Sequence, residues 1–324
     1  MIPCRAGMGN SEPRRPSPTS AFPSGDCRLS SMPELPEVET IARGLAQRVT
    51  GDVIDSVWLG SKPQTFKSPP REIASTLESR RIAAVRRVGK HIVFDLLAKA
   101  DSRGSVRRAA GLRPAIGPGL THSVTNAGAQ WVVHLGMTGR VIVCEPSAEV
   151  AKHTHAILRL RSGRELRFVD PRRFGRLSVT HGFQAPGSEP LDVELERFVQ
   201  LFRGRKTPIK SALLNQKLLS GVGNIYADES LFRAGIRPRR RAASLTREDL
   251  RRLYLALQEV LREAIALGGS SISDYVDADG DEGFFQLQHR VYGREGEPCL
   301  VCKTPVKRIL IGGRSSHYCP NCQK

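Results

Sequence analysis

A chain of 324 residues is long enough for two domains of ordinary size. No apolar run in it approaches the roughly 18 residues that a membrane span requires, so we expect no membrane partner. Its 50 Lys and Arg residues against 32 Asp and Glu residues give a formal net charge of +18, which favours a polyanionic partner, nucleic acid in the first place. A basic solvated surface is the alternative that composition leaves open. Basic residues are concentrated in three segments, 103–113, 203–210 and 233–241. Together these segments could line one groove.

Residues 1–31 are rich in Pro, Ser and Arg and show no apolar periodicity, so we expect a disordered extension there. The first predicted helix begins at Pro36, where Glu37 and Glu39 place carboxylates in the first turn, near the positive end of the helix dipole. Apolar residues at helical spacing follow and predict that this helix ends at about Arg48.

Short strands are predicted from residue 53 to residue 180. The candidates are 53–59, 81–97, 130–134, 140–144, 156–161, 164–169 and 176–180. A two-residue turn at Ser162-Gly163 predicts a hairpin between the fifth and sixth candidates. Strands at this spacing favour an antiparallel sandwich or barrel. Residues 99–129, which are rich in Gly, Pro, Arg and Ser, are interpreted as a long surface insertion.

A Gly- and Pro-containing stretch at 182–192 predicts a domain boundary, and helices follow it. Thr246 and Asp249 have the spacing of a capping box, and the apolar stripe that comes next ends at Gly268-Gly269. We interpret that stripe as core packing. A polar, Gly-containing loop at 270–285 leads to a cysteine-rich tail.

Four of the seven cysteines form a metal-binding pattern in this tail. Cys299 and Cys302 are separated by two residues, as are Cys319 and Cys322, and 16 residues lie between the pairs. This pattern predicts one tetrahedral Zn²⁺ site with four thiolates and no open position for water, and hence a structural role. Chance or redox-active CxxC pairs are the alternative. An odd number of cysteines without a secretory segment predicts a reducing cytoplasm.

Pro33 and Glu34 directly follow Met32 and open the segment PELPEVE. Removal of Met32 would make Pro33 a terminal secondary amine, which is partly unprotonated near neutral pH and can attack a sugar carbon to form a Schiff base. The neighbouring carboxyl can transfer protons. We therefore expect the active species to begin at Pro33, through translation from Met32 or through processing, because an amide nitrogen lacks the nucleophilic lone pair.

Apart from 99–129, the chain from residue 32 onward resembles the formamidopyrimidine-DNA glycosylase family. The matching segments, in chain order, are MPELPEVET at 32–40, RRVGKH at 86–91, HLGMTGR at 134–140, KHTH at 152–155, DPRRFG at 170–175, KTPIK at 206–210, GVGNIYADESLF at 221–232 and VYGREGEPC at 291–299. The two CxxC pairs complete the series.

The resemblance implies an α+β multidomain fold with DNA in the cleft between its halves. Residues 32–181 would form an N-terminal helix and antiparallel β-sandwich, 182–285 a helix–two-turn–helix domain with the lesion loop at 269–286, and 286–324 a zinc β-ribbon. Residues 1–31 would be a disordered extension or a mis-assigned start. The implied activity is base excision repair by a bifunctional glycosylase and abasic-site lyase. It removes oxidised purines such as 8-oxoguanine and formamidopyrimidines through a Schiff base with the N-terminal proline, then β,δ-elimination.

The resemblance also implies catalytic roles for four residues. Pro33 matches the nucleophile, Glu34 the acid/base that assists sugar-ring opening, and Lys90 a lysine linked to β-elimination and phosphate contact. Arg314 matches the zinc-ribbon arginine linked to δ-elimination. Two interpretations of Glu37 stay open: it adds supporting charge in the pocket, or it only begins the helix.

Further residues match DNA contacts of the family. Met137, Arg172 and Phe174 match a trio that fills the gap when the lesion leaves the duplex, since apolar wedges replace stacking and a guanidinium takes the orphaned base edge. The remaining DNA-contact positions are His153, Lys206, Lys210 and Asn224, and Asn224 stands at a helix start that can bind phosphate.

Two rival functions stay open. The endonuclease VIII branch, which prefers oxidised pyrimidines, is disfavoured by the PELPEVE and DPRRFG segments. A non-catalytic DNA-binding module would carry the same ribbon and charge without chemistry. We expect a monomer that acts on double-stranded DNA with oxidised purines or abasic sites, in the cytoplasm at the nucleoid.

Overall fold

The structure is a computed structural model that describes residues 32–97, 128–270 and 283–324. The predicted extension 1–31, nearly all of the insertion 99–129 and most of the loop 269–286 lie outside the described residues. Within the described ranges, no helix is both long and apolar enough to cross a membrane.

The first half is a helix-flanked β-sandwich, as predicted. Its elements are α1 (Leu35–Val49), β1 (Ile54–Leu59), α2 (Pro70–Leu77), β2 (Ile82–Val88), β3 (His91–Leu96), β4 (Ala129–His134), β5 (Arg140–Cys144), β6 (Thr154–Leu160), β7 (Glu165–Val169) and β8 (Arg176–His181). Two four-stranded antiparallel sheets, in the orders β1-β6-β7-β5 and β2-β3-β4-β8, enclose one apolar core. The hairpin predicted at Ser162-Gly163 is confirmed, with Gly163 at a φ of +90° between β6 and β7.

One predicted strand is wrong in extent. The single candidate at 81–97 is two strands, β2 and β3, which pair with each other in an antiparallel hairpin. Gly89 has a φ of +60°, a conformation that glycine adopts without a Cβ clash, and this allows the chain to reverse at Gly89 and Lys90. Apolar residues stand close to the turn on both sides, Val88 before it and Ile92 after it, so a single candidate strand covered both.

The second half is helical and ends in a two-stranded ribbon. Its elements are α3 (Leu195–Phe202), α4 (Ile209–Leu213), α5 (Asn224–Arg233), α6 (Arg247–Ala266), β9 (Lys307–Ile311) and β10 (Arg314–Tyr318). The capping box of Thr246 and Asp249 is present at the start of α6, whose apolar face forms much of the helical core. The predicted α+β architecture of sandwich, helical domain and ribbon is confirmed.

Helix α1 joins the two halves. Leu35, in its first turn, belongs to the helical core, whereas Val38, Ile41 and Leu45 belong to the sandwich core. A capping box between Glu34 and Glu37 begins the helix. The N-terminal end of α1 therefore lies where the halves meet.

Helix α5 anchors the ribbon through two buried carboxylates. Glu229 accepts backbone N–H groups of Arg290, Val291 and Tyr292 at 2.9 to 3.1 Å. Asp228 accepts the backbone N–H of His317, in β10, at 2.8 Å. These bonds satisfy charges that would otherwise be costly to bury, and they fix the ribbon against the helical domain.

Candidate active site and DNA-binding surface

Glu34 lies where the N-terminal ends of α1 and α5 meet. Its carboxylate accepts the backbone N–H groups of Ile225 at 3.1 Å and Tyr226 at 3.4 Å, in the first turn of α5. Leu35 donates its N–H to the carbonyl of Gly221 at 3.0 Å, which holds the chain before α1 against the turn before α5. Pro33, one residue earlier, is buried at the same junction. The free donors of a helix start thus hold the carboxyl next to Pro33.

Burial raises the pKa of Glu34 to about 7 because it penalises the charged form. The nearby positive charge of Lys90 and the two N–H groups oppose this shift, and the negative charge of Glu37 adds to it. A carboxyl with such a pKa can both donate and accept a proton near neutral pH, as an acid/base must.

Glu37 does more than begin the helix. Buried within the site, it accepts the backbone N–H groups of Glu34 and of Ser270, both at 2.8 Å, and the hydroxyl of Tyr226. Gly269 permits this approach, because a Cβ there would lie 2.9 Å from the Glu37 carboxylate. Glu37 therefore ties the backbone of Glu34 to the last described residue before 271–282.

Lys90 and Arg314 bring positive charge to the same place. Lys90, partly buried, stands at the turn between β2 and β3, and Arg314 is exposed at the start of β10. Burial lowers the pKa of Lys90, the negative charge of Glu34 opposes this, and the charge of Arg314 lowers it further. The structure therefore brings Lys90 within electrostatic range of both Glu34 and Arg314, which come from other parts of the chain.

Asn224 and Ser315 join α5 to the ribbon beside Arg314. The Asn224 side-chain amide donates to the Ser315 hydroxyl at 3.3 Å. Asn224, a predicted DNA contact at the start of α5, therefore lies next to the strand that carries Arg314. A phosphate bound at this helix start would lie near Asn224 and near that strand.

The prediction that Lys210 contacts DNA is corrected by the structure. Its side chain is fully buried, and its ammonium pairs with Asp228 at 2.6 Å and donates to the Ser315 carbonyl at 2.6 Å. A lysine in this position cannot reach a phosphate. Lys210 instead holds β10, and with it Arg314, against α5.

The predicted wedge residues stand on two adjoining loops. Phe174 is 47% exposed, and the Arg172 guanidinium lies 5.0 Å from the centre of its ring. Met137, partly buried, follows Gly136, where a Cβ would lie 2.6 Å from the Phe174 backbone, so the loops are in direct contact. An exposed aromatic ring beside a guanidinium is suited to contact bases.

Asp170 holds the two wedge loops together and was missed from the sequence. Fully buried, it accepts the hydroxyl of Thr138 at 2.6 Å and the backbone N–H of Gly175 at 2.7 Å. Its position as the first residue of DPRRFG was the available signal. Among the predicted phosphate contacts, His153 and Lys206 are exposed, and the backbone carbonyl of His153 accepts the N–H of Asp170.

The four C-terminal cysteines converge. Their sulfur atoms all lie within 4.8 Å of one another, with Cys302 and Cys319 at 3.4 Å and Cys299 and Cys322 at 3.9 Å. Zinc–sulfur bonds of about 2.3 Å in a tetrahedron require sulfur–sulfur distances of about 3.8 Å. The donor set therefore fits one structural Zn²⁺, as predicted.

Comparisons with known proteins identify the family. Three family models match in order: the formamidopyrimidine-DNA glycosylase N-terminal domain at residues 32–177, the formamidopyrimidine-DNA glycosylase H2TH domain at 185–276, and a zinc finger found in FPG and IleRS at 296–324. The formamidopyrimidine-DNA glycosylase of Solibacter usitatus is 44% identical over 90% of this chain and 100% of its own length, and that of Listeria monocytogenes is 38% identical over the same shares.

Solved structures agree with these matches. The MutM (Fpg) protein of Thermus thermophilus superposes with a TM-score of 0.73 at 41% identity, over 90% of this chain and 98% of its own. The Lactococcus lactis Fpg in complex with abasic-site DNA superposes with a TM-score of 0.75 at 29% identity, over 90% and 99%. The chain belongs to the formamidopyrimidine-DNA glycosylase family.

Proposed function

We propose that this chain is a bifunctional glycosylase and abasic-site lyase that excises oxidised purines from double-stranded DNA. The observation that carries the proposal is the buried Glu34 carboxyl, held beside Pro33 by the start of α5, with Lys90 within electrostatic range of it and Arg314 within range of Lys90. The lesions follow from the relatives: solved complexes of Lactococcus lactis Fpg contain Fapy-dG DNA or abasic-site DNA, and one of MutM contains carbocyclic 8-oxo-G DNA.

In the first step, the terminal amine of Pro33 attacks the anomeric carbon of the damaged nucleotide. The bond from that carbon to the base breaks, and the base leaves with the bonding electron pair. The Pro33 nitrogen loses its proton as the new bond forms, which balances the proton that the base takes up. Glu34, as the carboxylic acid, donates a proton to the sugar ring oxygen when the ring opens, which leaves an iminium ion between Pro33 and the sugar. The near-neutral pKa of Glu34 suits this role.

In the second step, a Brønsted base removes a C2′ proton and the 3′ phosphate leaves with the electron pair of its C–O bond. Removal of the C4′ proton then expels the 5′ phosphate in the same way. We assign the positive charges of Lys90 and Arg314 to these phosphates, and Lys90 also to the proton transfers. Because Lys90 is within electrostatic range of both Glu34 and Arg314, we expect one bound sugar to meet all three groups.

DNA is held by groups around this site. We assign His153, Lys206 and Asn224 to phosphates, which fix the register of the duplex without reading its sequence. Met137, Arg172 and Phe174 are assigned to the gap left by the flipped lesion. One chain supplies all of these groups, so the proposed active unit is a monomer, which works at the nucleoid in the cytoplasm.

Borohydride trapping tests the chemistry. Protein that begins at Pro33 should form a covalent adduct with duplex DNA that carries 8-oxoguanine opposite cytosine, and should nick it to leave phosphate on both flanking ends. Protein that retains residues 1–32 should bind the same duplex and form no adduct, because its Pro33 nitrogen is an amide. Base release without a nick would refute the lyase assignment, and trapping of the longer protein through another residue would remove Pro33 from its role.

A second substrate separates the two enzyme branches. A duplex that carries thymine glycol opposite adenine should be cut more slowly than the 8-oxoguanine duplex. Faster cutting of thymine glycol would assign the chain to oxidised pyrimidines instead. Binding without any adduct on either substrate would leave a non-catalytic DNA-binding module.

A further inference from the structure

A cleft on the β-sandwich combines an exposed tryptophan with three cationic side chains and two histidines. It measures about 490 Å³, and its lining includes Trp58, Lys62, Lys152, His153 and Arg173. Among the residues that the structure describes, none that lines it is acidic. Trp58 stands on β1, an edge strand of its sheet, and is 51% exposed. We call this cleft the Trp58 groove. An exposed indole ring beside the positive charges of Lys62, Lys152 and Arg173 suits a ligand that is both flat and anionic.

The local structure keeps the tryptophan ring open. The loop after β1 is pinned to β6 by the N–H of Gly60, which donates to the His155 carbonyl at 2.9 Å. A Cβ at Gly60 would touch the edge of the Trp58 ring at 3.5 Å, so the glycine leaves that edge uncovered. Lys62 follows in the same loop and lines the groove, as does Lys152 on the loop before β6.

The groove adjoins the proposed DNA-binding surface. Its lining residue His153 is one of the assigned phosphate contacts, and Arg173 lies between the wedge residues Arg172 and Phe174. Arg173 has a φ of +59°, a left-handed conformation that is strained for an arginine and occurs preferentially at functional loops. DNA that follows the wedge loop would continue into the groove.

We propose that the Trp58 groove is a second DNA subsite, which binds an unpaired nucleotide next to the lesion duplex. A base inside a duplex is already stacked, so an indole ring can stack only on a base that is unpaired or at a strand end. Tryptophan stacking combined with basic side chains is the chemistry of sequence-independent single-strand binding. Lys62, Lys152 and Arg173 would contact the phosphates on either side of the stacked base.

The test measures equilibrium binding of fluorescently labelled lesion duplexes to protein that begins at Pro33. Duplexes with blunt ends are compared with duplexes that carry a single-stranded overhang on the 5′ or the 3′ side. An overhang of either polarity should tighten binding about fivefold or more, from one stacked base. Trp58→Ala should abolish this gain, and Trp58→Phe should restore part of it. Lys152→Ala should reduce the gain and its dependence on salt.

Leu255→Ala is the matched control, because Leu255 is 50% exposed on α6, outside the groove. It should retain the full gain. Intrinsic fluorescence gives a second reading, since Trp131, the other of the two tryptophans, is 1% exposed, and overhang DNA should quench the signal more than blunt DNA.

Two results would overturn the proposal: no overhang gain in the unaltered protein, or a gain that Trp58→Ala leaves intact. Equal quenching by blunt and overhang duplex would also contradict base stacking. Incision of the blunt lesion duplex by the unaltered protein tests the proposed function separately, so failure of one does not imply failure of the other.

Discussion

A side chain at residue 223 would collide with Glu34, because a Cβ built on Gly223 lies 2.1 Å from the Glu34 carboxyl carbon. Gly223 immediately precedes α5, whose first N–H groups bind that carboxylate. The glycine lets the carboxyl approach the free helix donors while it stays next to Pro33. The backbone conformation of Gly223 is one that other residues also adopt. The glycine is therefore needed for the room that it leaves for Glu34, and not for its conformation.

Gly223→Ala should therefore displace the Glu34 carboxyl and slow incision of an abasic-site duplex. We expect a loss of about 100-fold or more in the single-turnover rate, since acid/base catalysis by a positioned group contributes about 10²–10⁴-fold. Single-turnover kinetics measures this, with binding of the same duplex followed in parallel.

Gly51→Ala controls for a general effect of alanine. Gly51 has open space around it but a φ of +89°, so alanine there strains the backbone, by about 1–2 kcal/mol, without touching the site. It should lower the free energy of unfolding and leave the incision rate unchanged. If Gly223→Ala cuts DNA as fast as Gly51→Ala, the close packing at Glu34 is not needed for catalysis.

The raised pKa of Glu34 predicts a pH-dependent stability. In the unfolded chain the carboxyl has its ordinary pKa of 4.5, and in the folded protein burial raises it to about 7. Between these values the folded state binds more protons than the unfolded state, so the contribution of Glu34 to stability falls as pH rises from 4.5 to about 7. Below and above this window it is constant.

Glu34→Gln removes this titration. The free energy of unfolding of the unaltered protein minus that of Glu34→Gln should decrease as pH rises from about 4.5 to about 7 and then level off. Urea unfolding at a series of pH values measures the difference, and titrations common to both proteins cancel. A difference that rises with pH would mean that the N–H groups and Lys90, rather than burial, dominate the pKa.

The sequence predicts the fold well where its patterns are local. The hairpin at Ser162-Gly163 has strands of alternating character on both sides, and the capping box at Thr246 begins α6 as expected. The turn at Gly89 was not predicted, because both flanking strands are apolar on their buried faces and a single glycine between them is compatible with one continuous strand.

For the site, motifs identified residue types, but only packing determines what each residue contacts. Lys210 lies in a basic segment, and nothing in that segment indicates that Asp228, one helix later, pairs with it in the core. The two interpretations of Glu37 stayed open because its partner Ser270 is far along the chain, where no local pattern connects the two residues. Asp170 was overlooked for the same reason, since its bond to Thr138 joins separate loops.

Zinc should be needed to present Arg314. Elemental analysis should find one zinc ion per chain in the unaltered protein and none in Cys319→Ser. The variant should also bind lesion DNA more weakly and give less δ-elimination product. The reason is that Cys319 directly follows β10, the strand that starts at Arg314.

Cys144→Ser is the matched control for the zinc site. Cys144 ends β5 in the sandwich and is partly buried, away from the four-sulfur cluster. This variant should keep its zinc and its δ-elimination product. Active Cys319→Ser protein without zinc would show that the ribbon folds and presents Arg314 on its own.

Lys210 and Lys206, four residues apart, should behave in opposite ways. Lys210→Met leaves the Asp228 carboxylate buried without its partner, which should cost about 3–5 kcal/mol of unfolding free energy. Lys206→Ala removes an exposed side chain, so stability should change by no more than about 0.5 kcal/mol. Its effect should instead be on DNA: weaker binding to damaged and undamaged duplex alike, and a salt dependence reduced by about one counterion. Urea unfolding and binding at several salt concentrations measure both properties. If Lys210→Met were fully stable and bound DNA with a reduced salt dependence, its ammonium would be a phosphate contact after all.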